Sequence, residues 1–211
     1  SGPLQGFLAE AAARHGIWLV GGTVPLEAGD SDRVRAACLV FNQRGERVAR
    51  YDKIHLFDVS LPDGGERYEE SATIEPGGEA VVADTPFGRL GLAVCYDLRF
   101  PELFREMLDL GMEILALPAS FTAVTGKAHW ETLVRARAIE NLAYVIAAAQ
   151  GGYHINGRET HGHSMVVDPW GAVLAQVPRG SGCVCCPLDR EFRESVRRSF
   201  PTIDHRRLKC R

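Results

Sequence analysis

Apolar residues at Leu4, Phe7, Leu8, Ala11 and Ala12 recur at the spacing of one helix face, so Pro3 to His15 is predicted as an amphipathic helix that stops at Gly16. Compact apolar runs then predict strands over Trp18 to Val24 and Ala36 to Asn42, with the Asp-rich segment Glu27 to Asp32 as the loop between them. Asn42-Gln43-Arg44-Gly45 has turn chemistry, which makes Arg47 to Tyr51 the returning strand of a hairpin. From Lys53 to Gly78 no period is sustained, and Pro62-Asp63-Gly64-Gly65 and Pro76-Gly77-Gly78 punctuate the stretch. A loop of that length inside a compact domain is usually functional. Ala80 to Ala83 and Leu90 to Val94 are predicted strands, joined by the turn Thr85-Pro86-Phe87-Gly88.

The second half alternates helix and strand. A helix is predicted over Pro101 to Leu110, a strand over Ile114 to Leu117, and a second helix from Ala128 to Leu142. Trp130, Val134, Ala138 and Leu142 fall on one face of that second helix, with Leu133 and Ile139 beside them. Tyr144 to Ala149, His163 to Val167, Val173 to Val177 and Cys183 to Pro187 read as strands, with a turn at Asp168-Pro169-Trp170-Gly171. His161 and His163 are expected to alternate on a strand. A last helix covers Arg190 to Arg198, and an irregular tail follows. Strands with interspersed helices and two hairpin-like pairs imply a mixed sheet in a layered α/β fold.

Composition narrows the function classes. The 211 residues, 45% of them hydrophobic, are enough for one domain, 1–211, with a core of its own. A net charge of −3 gives no electrostatic reason to expect nucleic acid or an anionic membrane as a partner. No apolar run reaches membrane-spanning length and no leader is recognised. Six cysteines without regular spacing do not form a disulfide framework, which points to a reducing, cytoplasmic setting. Cys183-Val184-Cys185-Cys186 lacks a second Cys/His pair at ligand spacing, so no metal and no cofactor is expected.

Chemistry gathers around Gly91 to Glu102, where a short apolar strand hands over to helical spacing. Cys95 sits at that corner. A side chain there stands clear of the sheet and faces exposed helix N–H groups, an environment that favours thiolate over thiol. A buried structural cysteine is the competing reading. Arg99, at i+4, can project its guanidinium toward the same mouth, either to receive a substrate carboxylate or to pair with Asp97 or Glu102.

Tyr51-Asp52-Lys53-Ile54-His55-Leu56-Phe57-Asp58 and Cys95-Tyr96-Asp97-Leu98-Arg99-Phe100-Pro101-Glu102 resemble the lysine and cysteine motifs of the nitrilase superfamily of carbon–nitrogen hydrolases. The match continues through Thr125 to Glu131, Arg135 to Glu140, Gly162 to Gly171 and His205-Arg206-Arg207, and it is most similar to the branch of deaminated glutathione amidases, with omega-amidases beside it. The resemblance implies an α-β-β-α sandwich, N-terminally truncated here, that pairs with further copies as a homodimer or larger homo-oligomer. It implies an amidase that cleaves a small carboxylate-bearing amide through a cysteine thioester and releases ammonia. Cys95 is then the nucleophile, and Lys53 with the backbone N–H of Tyr96 stabilises the oxyanion. Glu70 matches the second glutamate, which orients the lysine. Family members begin with a strand, a helix and a strand that delivers another glutamate, the general base, and this sequence opens at the helix that follows it. Arg99, Phe121, Thr125, His129 and Trp130 are expected around the substrate, with His129 and Trp130 at the start of the second long helix. An omega-amidase acting on keto-acid amides, or an inactive member serving as a scaffold, are the alternatives.

Overall fold

The computed structural model describes residues 2–29, 32–61, 67–155 and 157–208. The chain divides into two compact units, 1–83 and 84–211.

In the first unit, helix α1 (Pro3–His15) lies on a three-stranded antiparallel sheet of β1 (Leu19–Glu27), β2 (Val34–Phe41) and β3 (Arg47–Asp52), ordered as in the sequence. Ala12, Val24, Ala37, Leu39 and Phe41 form its core, with Leu8, Ala9, Leu19 and Leu26 packed against them. The turn before β3 needs a glycine twice over. Gly45 has φ +76°, and a Cβ there would stand 2.5 Å from the Ala9 carbonyl oxygen of α1. The stretch expected as a long irregular loop contains a small hairpin, β4 (Asp58–Ser60) and β5 (Arg67–Glu69), followed by one 3₁₀ turn over Glu70–Ala72. Three-residue strands show too few alternations to be read from a pattern. The Pro62 to Gly65 turn signal, and part of the Asp-rich loop, lie outside the described residues.

A six-stranded sheet is ordered β13-β12-β9-β8-β7-β6, from β6 (Val81–Thr85), within which the division falls, and from β7 (Gly88–Leu92), β8 (Ile114–Ala119), β9 (Tyr144–Ala149), β12 (Ser164–Val167) and β13 (Val173–Val177) of the second unit. β7, β8 and β9 run parallel, whereas β12 and β13 are antiparallel to their neighbours, so the sheet is mixed as expected. Parallel strands need crossovers. α2 (Pro101–Asp109) joins β7 to β8 and α3 (Ala123–Asn141) joins β8 to β9. Two right-handed crossovers stepping in one direction put their helices on one face, and α2 and α3 do pack together. Leu103, Phe104 and Met107 of α2 and Trp130, Val134 and Ala138 of α3 are buried, whereas Ile139 is exposed. Helix α4 (Arg190–Ser199) is docked by Arg197, which donates to the carbonyls of Met112 and Leu142.

Three expectations change here. The second long helix begins at Ala123, five residues before the predicted start, because Thr122 caps it. The Thr122 hydroxyl accepts the Thr125 N–H at 3.2 Å. A second small hairpin, β10 (Gly151–Tyr153) and β11 (Glu159–His161), follows β9, and the residues past it turn sharply, so that the rings of His161 and His163 stack at 4.3 Å instead of alternating on one strand. Cys183 to Pro187 is no strand. Its exposure alternates as a zigzag should, but no neighbouring strand pairs with it among the described residues. No helix among the described residues is long and apolar enough to cross a membrane.

Candidate active site

Each unit carries one cluster of the expected residues. In the first, Lys53 immediately follows β3, and its backbone is held on both sides. Its N–H donates to the Ala36 carbonyl at 3.0 Å and its own carbonyl accepts from Gly77 at 2.8 Å, which fixes where the side chain starts. The side chain is only 3% exposed and its ammonium pairs with the Glu70 carboxylate. The same Glu70 Oε2 accepts the Phe57 N–H at 2.7 Å. The β4–β5 hairpin supports this arrangement. The Phe57 ring packs on Tyr68 at 5.0 Å, and Asp58 accepts the Ser71 N–H at 2.9 Å. Those hydrogen bonds from Ser71 hold the Asp58 carboxyl below its ordinary range. An ammonium out of water is tolerable only beside a carboxylate, so Lys53 and Glu70 are placed as a pair.

In the second unit, Cys95 stands at the end of the strand segment, at the start of a 3₁₀ turn over Cys95–Arg99 that leads into α2. Its φ is +50°, a left-handed conformation that a non-glycine residue holds only when its surroundings impose it. Two contacts impose it here. Asp97 is buried and its Oδ2 accepts the Val94 N–H at 2.8 Å, which closes the bend around Cys95. Arg137 of α3 donates from Nε to the Leu98 carbonyl at 3.0 Å and binds Glu140 at 2.6 Å, with its guanidinium 5.1 Å over the Phe104 ring. The half-buried cysteine thus sits on a corner braced from behind.

Arg99 belongs to the same turn. Its guanidinium lies 5.1 Å from the Phe121 ring and 5.8 Å from the Tyr96 ring, and its Nη1 is 3.2 Å from Nδ1 of His129. Its Nε is buried with no hydrogen-bond partner among the described residues, so neither Asp97 nor Glu102 accepts from Nε. Burial pulls the Arg99 guanidinium below its ordinary value, while Tyr96 and Cys95, close enough to interact electrostatically, act in the opposite direction.

The remaining expected residues divide. Phe121 is nearly buried, with one face toward Arg99 and an edge contact to Trp130 at 4.9 Å. Trp130 has no exposed surface and spends its indole N–H on the His163 carbonyl at 2.8 Å, so it is the backing of Phe121 and not a contact residue. Thr125 is half-buried and shares a hydroxyl hydrogen bond of 2.8 Å with the capping Thr122. His129 is exposed and lies in the second turn of α3, not at its start. Asp97 and Arg137 escaped the sequence reading as positioning residues. A signal existed for Arg137, a charge on the stripe that runs Trp130, Val134, Arg137, Asn141 at helical spacing.

Both the sequence and this fold have known relatives. The family model described as carbon-nitrogen hydrolase matches residues 1–198. A deaminated glutathione amidase of Yersinia enterocolitica is 47% identical over 98% of this chain and 73% of its own length. The crystal structure of Saccharomyces cerevisiae Nit3, a member of branch 10 of the nitrilase superfamily, superposes with a TM-score of 0.86 at 33% identity, covering 97% of this chain and 72% of that one. A mutant of the amidase from Nesterenkonia sp., with the acetamide moiety of fluoroacetamide added covalently at its active-site cysteine, matches 84% of this chain and 63% of its own at 27% identity and a TM-score of 0.72.

Proposed function

Because the chain belongs to the carbon–nitrogen hydrolase family and is a hydrolase of the amidase type, we propose that it cleaves the C–N bond of a small amide bearing a carboxylate, through a thioester on Cys95. The observation that carries this reading is Arg99, a half-buried guanidinium beside Cys95 whose Nε meets no acceptor among the described residues. Desolvated arginines are ordinarily paired, and the missing anion is best supplied by the substrate.

The chemistry assigns each group a task. The Cys95 sulfur attacks the amide carbon and the C–N bond breaks, the leaving nitrogen taking a proton. Water then opens the thioester to a carboxylic acid and returns the thiol. The tetrahedral oxyanion formed in each half needs a fixed cation or donor, and by the family pattern Lys53 supplies it. Glu70 is committed to the Lys53 ammonium and the Phe57 N–H, which suits it to orient the lysine and not to accept protons. In the family pattern the proton acceptor is a separate glutamate. The leaving group follows the amide. Ammonia release, expected from the sequence for a deaminated-glutathione-like amide, follows only from a primary amide, because the peptide-type amides of a deaminated glutathione release an amine. The acid product is therefore the quantity to follow.

The test uses the full-length protein with deaminated glutathione, a keto-acid ω-amide and a neutral amide as substrates. Cys95→Ala is expected to lower acid production at least about a thousandfold for every substrate turned over, the scale on which a nucleophile acts. Turnover within tenfold of the parent would refute Cys95 as nucleophile. A parent that prefers the neutral amide would refute the carboxylate class.

A further inference from the structure

Arg99 has two donor edges, and they are not in the same state. The Nη1 group meets Nδ1 of His129 at 3.2 Å, a contact that makes a hydrogen bond when the imidazole is neutral with its proton on Nε2. The opposite edge presents Nε–H and Nη2–H side by side, the fork that takes both oxygens of a carboxylate. On that edge Nε is buried without a partner among the described residues. The guanidinium carbon lies over the rings of Phe121 and Tyr96, contacts that tolerate a range of tilts and side-chain rotamers. A hydrogen bond at one corner narrows that range. His129 provides it from α3, whose N-terminal turn is tied down by the Thr122 cap and by the Phe121 carbonyl, which accepts the His161 N–H at 2.9 Å.

We propose that His129 is a positioning residue. By accepting from Nη1 it holds the Nε–Nη2 edge of Arg99 toward the Cys95 mouth, and so sets the preference for amides that carry a carboxylate. The inference rests on the assignment of Arg99 as the carboxylate fork. His129 touches Arg99, not the reacting atoms. Its effect therefore falls on substrate capture and on the discrimination between charged and neutral amides. Asparagine places a carbonyl oxygen where histidine places Nδ1, two bonds beyond Cβ, so it keeps the acceptor while discarding the ring. Leucine keeps bulk and discards the acceptor.

The experiment measures kcat and KM in the full-length protein for a carboxylate-bearing amide and for the same molecule with that carboxylate converted to a neutral methyl ester. The readout is the ratio of the two kcat/KM values in the parent, Arg99→Ala, His129→Leu and His129→Asn. The expected result is a fall in the ratio of about a hundredfold for Arg99→Ala. His129→Leu is expected to lower it about tenfold, mostly through KM of the charged substrate, and His129→Asn to restore it to within about threefold of the parent. A reduced ratio in Arg99→Ala with an unchanged one in His129→Leu would overturn the positioning role alone. Equal losses in His129→Leu and His129→Asn would also overturn it, since ring volume and not the acceptor would then matter. An unchanged ratio in Arg99→Ala would overturn the carboxylate fork itself, and the role of His129 with it.

Discussion

At the scale of the residue, the Lys53–Glu70 pair joins folding to chemistry. Lys53 is almost fully buried and its ammonium has the Glu70 carboxylate beside it. Removing one partner strands the other, and breaking such a pair costs about 3–5 kcal/mol, whereas replacing both charges with apolar groups is far milder. Glu70→Ala is therefore expected to destabilise the first unit by about 3 kcal/mol in chemical denaturation. Adding Lys53→Met should recover more than half of that loss while leaving the protein inactive. A full recovery is not expected, because the Phe57 N–H also loses its acceptor. If the single and double variants are equally stable relative to the parent, the two residues do not depend on each other. Cys95 shows a different residue-scale balance. Its left-handed backbone is a local cost of about 1–3 kcal/mol, offset by the Asp97 bond to the Val94 N–H and by Arg137 on the Leu98 carbonyl.

At the scale of the element, α3 carries His129 and Arg137, and its own placement depends on Gly126. A Cβ built on Gly126 would lie 2.2 Å from the Cβ of His161 on β11. Two effects compete on substitution. Alanine gains about 0.8–1.0 kcal/mol of helix propensity over glycine, but forcing volume into a packed contact costs about 1–3 kcal/mol. The clash is with a Cβ atom, which cannot rotate away, so the packing cost wins. Gly126→Ala is expected to lower stability by about 1–2 kcal/mol in thermal or denaturant unfolding. A stabilised variant would mean that β11 does not press on α3. This contact was invisible in the sequence because it joins a helix to a three-residue strand that no period announces. The same reason hid the β4–β5 hairpin beneath Glu70. The long periodic elements were legible: α1 runs from Pro3 to His15 as expected, and the Trp130, Val134, Ala138 stripe of α3 is buried. Cys183 to Pro187 misled because alternation describes an extended chain, whereas a strand also requires a partner.

At the scale of the whole molecule, the parallel β7-β8-β9 core delivers the cysteine turn at the end of its first strand segment, and the crossover helices that a parallel pair demands then supply Arg137 and His129. The family motifs marked Cys95 and Lys53 as candidates before any coordinates, since both stand in ordered, specific strings of residues, whereas Glu70 was marked only by its match to the family's second glutamate. Trp130 was legible twice over, as a motif residue expected near the substrate and as a member of an apolar helix face, and the structure shows the second, with no exposed surface. Arg99 was legible as a cation near Cys95, and its orientation toward His129 was not. The proposed chemistry requires above all that Cys95 carry the acyl group during turnover. That is measured by quenching the full-length protein with acid during turnover of a carboxylate-bearing amide and weighing the peptide that spans Cys95. The expected result is that peptide with the mass of the acyl moiety added, in an adduct that hydroxylamine removes and that Cys95→Ala lacks. Turnover with no such adduct under single-turnover quenching, or an adduct on another residue, would contradict the thioester mechanism.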